Sequence, residues 1–178
     1  MTLLPAFALA AEAPVAELER QLSVEGVEKV NAYLGASGSA ARVSLHHATT
    51  RCELQAVSLT VRLARDGRSK VVDAHGESLR IAVGQCTGFV LALLDVSEVP
   101  KVCASLPSWT VMQTVRELRG RMRRIDADAV LRSSPRGKAC HAAYLYELQN
   151  TRVGLRTGPP HSARQPAESA PVDKANRE

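Results

Sequence analysis

The stretch LRIAVGQCTGFVLALL, residues 79–94, decides the fold class. Its apolar side chains recur at steps of three and four and cover more than half of a helical circumference: Leu79, Ala82, Val83, Cys86, Phe89, Val90, Leu93 and Leu94. This period is typical of an α-helix, and so wide an apolar face is typical of a buried one. Gly84 and Gly88 lie one turn apart and would let a neighbouring helix approach closely. We therefore expect residues 79–94 to form the central helix of an all-α domain.

A second long stripe precedes it and ends near Asp66 and Gly67: Leu45, Ala48, Cys52, Ala56, Leu59 and Leu63. Its steps of three and four predict one long amphipathic helix. A competing pattern runs from Val57 to Leu63, where apolar residues alternate strictly with other residues, as in a strand. Because the sequence offers this strand no clear partner, the helix is favoured.

Shorter helices flank these two. Pro14 suits a first helical position, Ser23 can cap a second short helix that stops at Gly35, and a flexible link follows at residues 36–40. A polar link covers residues 68–76, and Pro100 is expected to end the central helix. Ser108 can cap a further helix with its inward face at Val111, Met112, Val115, Leu118 and Met122. A last helix, from about Ala139 to Leu148, carries Ala142, Tyr144 and Leu145. The prediction is a small bundle of five to six helices.

Composition limits the core and the partners. Aromatic residues make up 3% of the 178, so the core must be built from Leu, Val, Ala and Met. The net charge is +5. Residues 152–178 contain five Lys/Arg and three Asp/Glu, so residues 1–151 carry a net charge of +3. This charge is too mild to indicate nucleic acid binding without a focused patch. No stretch approaches the roughly 18 apolar residues of a membrane span.

The two ends differ from the middle. Residues 1–10 (MTLLPAFALA) are apolar and close with the small-x-small sequence Ala8-Leu9-Ala10, which is typical of the end of a secretory signal. We interpret residues 1–10 as the remnant of a signal peptide and residues 11–151 as the helical domain of an exported, periplasmic protein. Residues 152–178 are rich in Pro, Ala, Ser and charge, and we expect a disordered tail.

The four cysteines, Cys52, Cys86, Cys103 and Cys140, are even in number and form no CxxC. In an exported chain this favours disulfides over a metal site. If the two long helices form an antiparallel hairpin that turns near residue 69, Cys52 and Cys86 lie equally far from the turn and meet. Cys103 and Cys140 flank the next helix in a similar way. Of the three possible pairings, Cys52–Cys86 with Cys103–Cys140 is favoured.

We find no motif for catalysis, and no metal or cofactor is predicted. His46 and His47 are neighbours and project in different directions from a helix, and HExxH, GxSxG, GxGxxG and P-loop patterns are absent. A nucleophile at Cys140 beside His141 would need a free thiol. One dense charge run spans residues 116–124 (RELRGRMRR), in which Arg116, Arg119 and Arg123 are expected to point outward. A solvated helix face is the favoured interpretation, and this face could also meet an acidic partner protein.

Three features in order carry a family resemblance. The first is Cys86-Thr-Gly-Phe, followed further on by Asp95. The second is Val102-Cys103-Ala-Ser-Leu-Pro107, followed by Thr110, Gln113 and Val115. The third is Pro135 before a closing helix rich in small residues. Residues 50–150 thereby resemble the Rap/Tai family of type VI secretion immunity proteins. The resemblance implies a small helical periplasmic protein that binds and blocks a peptidoglycan amidase toxin of the Cys–His type.

Two functional hypotheses stay open: this stoichiometric inhibitor, and a periplasmic helical chaperone or structural adaptor. The oligomeric state is open too, and a homodimer is one option. An inhibitor without chemistry of its own must plug its partner's cleft, which requires a preorganised segment. Two connections qualify, Arg65 to Gly76 and Val96 to Ser108. The second is stiffened by a cysteine and two prolines, and it supplies the candidate partner-binding residues: Pro100, Leu106, Pro107 and the adjacent Trp109.

Overall fold

A computed structural model describes residues 9–36, 39–65 and 71–156 of the chain. This described part is all-helical and contains no strand, as the sequence predicted. Its helices number ten and not five to six: α1 Leu9–Glu25, α2 Val27–Gly35, α3 Ala40–Thr50, α4 Leu54–Arg65, α5 Val71–Gln85, α6 Thr87–Leu93, α7 Val99–Val102, α8 Val111–Ala127, α9 Ala129–Ser133 and α10 Pro135–Arg156.

Both predicted long helices are broken at a cysteine, which accounts for part of the higher count. The stripe at 45–63 is divided between α3 and α4, and the backbone of Cys52 between them has a φ of 63°. The Cys52 amide donates to the Thr49 carbonyl and the Glu53 amide to the Ala48 carbonyl. This is the hydrogen-bond pattern of a Schellman helix ending, for which glycine is the usual residue. No sequence pattern predicts this helix ending, because a cysteine in the left-handed region is uncommon.

The stripe at 79–94 divides in the same way at Cys86, which lies between α5 and α6 with φ of −127°. The two broken points are joined to each other by the Cys52–Cys86 disulfide. The second disulfide, Cys103–Cys140, joins the end of α7 to α10. Both bonds are those that the hairpin argument favoured.

The core consists of two clusters that share α4. The N-terminal cluster is built by α1, α2, α3, one face of α4 and the start of α5. The C-terminal cluster is built by the other face of α4 together with α5, α6, α7, α8 and α10. Because α4 is packed on two sides, Val57, Leu59, Val61 and Leu63 are all buried. This explains the alternating pattern that resembled a strand, and the prediction of a helix there is confirmed.

The predicted central element is confirmed in position but not in extent. Helix α5 packs against α2, α3, α4, α6 and α7, more neighbours than a peripheral helix could have. It begins at Val71, inside the link predicted at residues 68–76, and it ends at Gln85. Pro100 does not end this helix but lies in the first turn of α7, where a missing amide proton costs nothing.

Helix α8 starts from a different cap than predicted. Thr110, not Ser108, is the N-cap, and with Gln113 it forms a complete capping box. The buried stripe is Thr114, Leu118, Arg121 and Ile125. Val111 and Met112 were expected to face inward but are 43% and 78% exposed. The predicted stripe was rotated by about one residue.

Several element boundaries also differ from the prediction. Helix α1 begins at Leu9, so Pro14 lies inside it, and α2 is capped by Gly26 instead of Ser23. Helix α10 runs from Pro135 to Arg156, past the predicted start of the tail. Residues 1–8 of the predicted signal remnant and residues 157–178 of the predicted tail lie outside the described residues.

Candidate protein-binding site

The segment between α6 and α8 is anchored to the domain at several points. Val99 and Val102 are buried in the C-terminal cluster, and Cys103 is bonded to Cys140 of α10. Two residues further on, the Ser105 hydroxyl donates to the Glu147 carboxylate at 2.6 Å. A segment fixed in this way is preorganised, which lowers the entropic cost of ordering it when a partner binds.

The four predicted partner-binding residues of this segment are not equally accessible. Pro100 and Pro107 are exposed, whereas Leu106 is buried at 8% exposure. Trp109 is half-buried and packs against the C-terminal cluster. The two prolines therefore offer contact surface, while Leu106 and much of Trp109 serve packing within the domain.

A cleft of about 510 Å³ lies between α4, α5 and the α6–α8 segment. The side chains along its base are apolar, and Val61, Leu79 and Leu94 belong to the buried core. Pro107 also lines the cleft. The cleft's charged lining residues are Arg65, Asp73, Glu77, Arg80, Glu98 and Lys101. The cleft thus brings together the two connections singled out from the sequence, Arg65 to Gly76 and Val96 to Ser108. Residues 66–70 of the first lie outside the described residues.

One wall of this cleft is fixed by a bidentate ion pair. Arg65 donates from Nε and Nη2 to the two carboxylate oxygens of Glu98, at 2.8 and 2.7 Å. Arg65 Nη2 also donates to the Leu93 carbonyl. The hydrogen bonds from Arg65 lower the pKa of Glu98 from its ordinary value. The ion pair ties the end of α4 to the start of α7 at this side of the cleft.

Behind the α6–α8 segment lies a buried arginine of the charge run, a run for which a solvated face was predicted. Arg121 is 5% exposed, and its Nη1 donates to the Arg80 carbonyl at 2.7 Å. Its guanidinium lies 4.9 Å from the centre of the Trp109 ring and 6.0 Å from that of Tyr144, within range of cation–π attraction. The expectation that Arg116, Arg119 and Arg123 point outward is confirmed, since all three are exposed.

A glycine makes this burial possible. A Cβ at Gly84 would lie 2.6 Å from Arg121 Nη2 and 2.7 Å from Cζ, closer than real contacts allow. Two buried polar atoms near this contact, Arg121 Nε and the Tyr144 hydroxyl, have no hydrogen-bond partner among the described residues. Burial raises the pKa of Tyr144, and the Arg121 charge opposes that rise. A buried polar group without a partner costs about 1–3 kcal/mol.

The sequence did contain a signal for Arg121. It lies three residues after Leu118 and four before Ile125, which is the spacing of the buried stripe on α8. The neighbouring arginines at 116, 119, 123 and 124 hid this signal, because together they read as one solvated charge run.

The histidines take part in local polar networks. His46 Nδ1 lies 2.8 Å from Ser78 Oγ, but the Ser78 hydroxyl donates its proton to the Ala74 carbonyl. His46 is then the donor to Ser78 and not its base, so this pair has no activated nucleophile in the observed geometry. No group of three or more His, Cys, Asp or Glu side chains within the described ranges could hold a metal ion.

His75 is the buried one among the histidines of the described residues, at 3% exposure, and its Nε2 lies 3.0 Å from the amide oxygen of Asn31. Asn31 in turn donates to the Leu63 carbonyl, which ties α2, α4 and α5 together. Burial lowers the pKa of His75 to about 4, so the ring is neutral near pH 7. A nucleophile at Cys140 beside His141 would need a free thiol, and Cys140 is disulfide-bonded.

No family model, curated protein or solved structure matches this chain. Within the described residues, no helix is both long enough and apolar enough to cross a membrane.

Proposed function

We propose that this protein is an exported, periplasmic immunity protein that binds and occludes a peptidoglycan amidase effector of a type VI secretion system. The Rap/Tai resemblance of residues 50–150 motivates the proposal. Two disulfides support an oxidising compartment, since such bonds persist outside the cytosol.

The observation that carries the proposal is the position of the anchored segment beside the cleft. The Cys103–Cys140 bond holds this segment against α10, and the exposed Pro107 and Lys101 stand at the cleft's edge. An amidase partner would place a surface loop in the cleft, with apolar contacts at its base and ion pairs at its charged lining. The anchored segment would enter or cover the partner's own active-site groove.

The proposal predicts that a Cys–His peptidoglycan amidase is encoded by a neighbouring gene, and the experiment uses that amidase. Directed to the periplasm of a bacterial host, this amidase should lyse the cells, and co-expression of the exported full chain should prevent lysis. Titration calorimetry of the two purified proteins should show one-to-one binding. Failure to protect or to bind would contradict the proposal.

A pair of variants locates the contact surface. Lys101→Glu combined with Pro107→Gln alters the edge of the cleft, whereas Lys29→Glu alters an exposed residue of α2, which belongs to the N-terminal cluster. We expect the first variant to weaken binding about 100-fold or more, a loss typical of an interface centre, and the second to leave it unchanged. Equal affinity for all three proteins would exclude the cleft. If the chain instead prevents aggregation of unrelated unfolded proteins, the chaperone hypothesis is correct.

A further inference from the structure

A second cavity, of about 370 Å³, lies on the other side of the α6–α8 segment. We call it the arginine cavity, and it is lined by Ile81, Gly84, Gln85, Leu106, Trp109, Gln113, Arg116, Glu117, Arg121 and Arg124. Three arginines therefore face one carboxylate. Glu117 pairs with Arg116 at 3.3 Å, which leaves Arg121 and Arg124 without an acidic partner among the described residues.

Arg121 is the feature of this cavity that points to a ligand. A buried guanidinium is normally paired with an anion, because an unpaired charge is costly to remove from water. Here Nη1 bonds a carbonyl, while Nε makes no hydrogen bond and none from Nη2 is found within the described part of the chain. Elsewhere in this chain the same Nε–Nη2 edge binds a carboxylate, in Arg20 with Glu17 and in Arg65 with Glu98.

The surrounding groups hold the cationic side chains in place. Arg124 Nη2 donates to the Gly84 carbonyl at 2.9 Å, as Arg121 does to the Arg80 carbonyl. Gly84 lies in the last turn of α5, where the negative end of the helix dipole favours a cation, and the Arg80 carbonyl lies one turn earlier. These carbonyls bear only partial charges, so the cavity retains a net positive charge. The arginines are thus preorganised for a negatively charged group.

The remaining walls indicate the form of the ligand. Ile81, Leu106 and Trp109 provide an apolar side to the cavity, and Gln85 and Gln113 provide amides that can donate hydrogen bonds. The planar edge of a guanidinium matches two oxygens of a carboxylate or phosphate. We propose that the arginine cavity is a binding site for an oxyanion, namely a carboxylate or phosphate group.

The sole tryptophan of the chain makes this site directly observable. Trp109 lines the cavity and stacks near Arg121, so an anion that binds there should change its fluorescence. We would titrate the full oxidised chain with N-acetylglutamate and, separately, with inorganic phosphate, with sodium chloride keeping the ionic strength constant. A saturable change in emission with either probe is expected, and comparison of the two titrations shows which oxyanion is preferred. The absence of saturation with both probes would overturn the proposal.

Matched double variants separate the site from general charge effects. Arg116→Gln with Arg124→Gln removes two charges from the cavity, and Arg119→Gln with Arg123→Gln removes two exposed charges of the same helix that do not line it. The first variant should weaken binding of the preferred probe at least about tenfold, and the second should not. Equal weakening in both variants would refute a built site. Circular dichroism checks that each variant is folded, and the assay needs no toxin, so its outcome is independent of the proposed function.

Discussion

Mild acid should destabilise this domain through a single buried side chain, His75. Its pKa is lowered to about 4 in the folded protein, against an ordinary value of 6.5, because burial disfavours the charged ring. Between these two values the unfolded chain binds more protons than the folded one, so stability is fully present above pH 6.5 and is lost as pH falls towards 4. The linkage relation gives a loss of about 2 kcal/mol at pH 5 and a limit of about 3 kcal/mol at lower pH.

The window from pH 7 to pH 5 isolates this effect from the carboxylates. Glu17 and Glu98 have lowered pKa values as well, but theirs lie below the ordinary 4.5, so both stay ionised down to pH 5. The assay is urea unfolding followed by circular dichroism at both pH values, with the disulfides intact. A loss of about 2 kcal/mol is readily measured in a domain whose whole stability is about 5–15 kcal/mol.

Two variants test whether His75 is responsible. His75→Gln keeps a donor that can reach Asn31 but does not titrate, so most of the pH dependence should vanish. His47→Gln, at an exposed position, should keep the dependence of the parent protein. If the parent is equally stable at both pH values, or if His75→Gln retains the full loss, the reasoning about burial is refuted.

Two further predictions concern packing, both measured by thermal and urea unfolding. Replacement of Cys103 and Cys140 by Ser removes a bond that spans 37 residues. The free energy of unfolding should fall by about 3–4 kcal/mol, and an unchanged value would show that the bond does not form. Gly84→Ala places a Cβ 2.6 Å from a buried guanidinium and should destabilise by about 1–3 kcal/mol. Gly76→Ala, with no atom within 4 Å, should instead stabilise helix α5 by about 0.5–1 kcal/mol, and equal effects at the two glycines would contradict the close approach at Gly84.

The candidate site shows which features a sequence pattern can reach. The stiffened segment from Val96 to Ser108 was found from its prolines and cysteine, because these residues act locally on the backbone. The cleft beside it was not predicted, since it is formed by α4, α5 and the segment together. The arginine cavity was missed for the same reason. Only the approach of α8 to Gly84 shows that one arginine of the run is enclosed.

The sequence alone determined the helical class and the disulfide partners of this protein. Apolar steps of three and four report how side chains are distributed around a helix, and this distribution depends on local geometry that each segment carries with it. The equal distance of Cys52 and Cys86 from the predicted turn is a property of their spacing along the chain. The helical period is local information, whereas the cysteine spacing predicts the pairing only together with the assumption that the two helices lie antiparallel.

The tertiary structure decided where the helices stop and which faces they bury. Cys52 adopts a left-handed conformation that residues other than glycine rarely favour, and the fold holds it there between α3 and α4. Helix α4 buries two faces because clusters on both sides pack against it, which made its pattern ambiguous. Arg121 is buried because Gly84 on another helix leaves room for it. A carbonyl and two aromatic rings also interact favourably with its positive charge. These are contacts between residues distant in sequence, and their free energy exists only once the helices have packed.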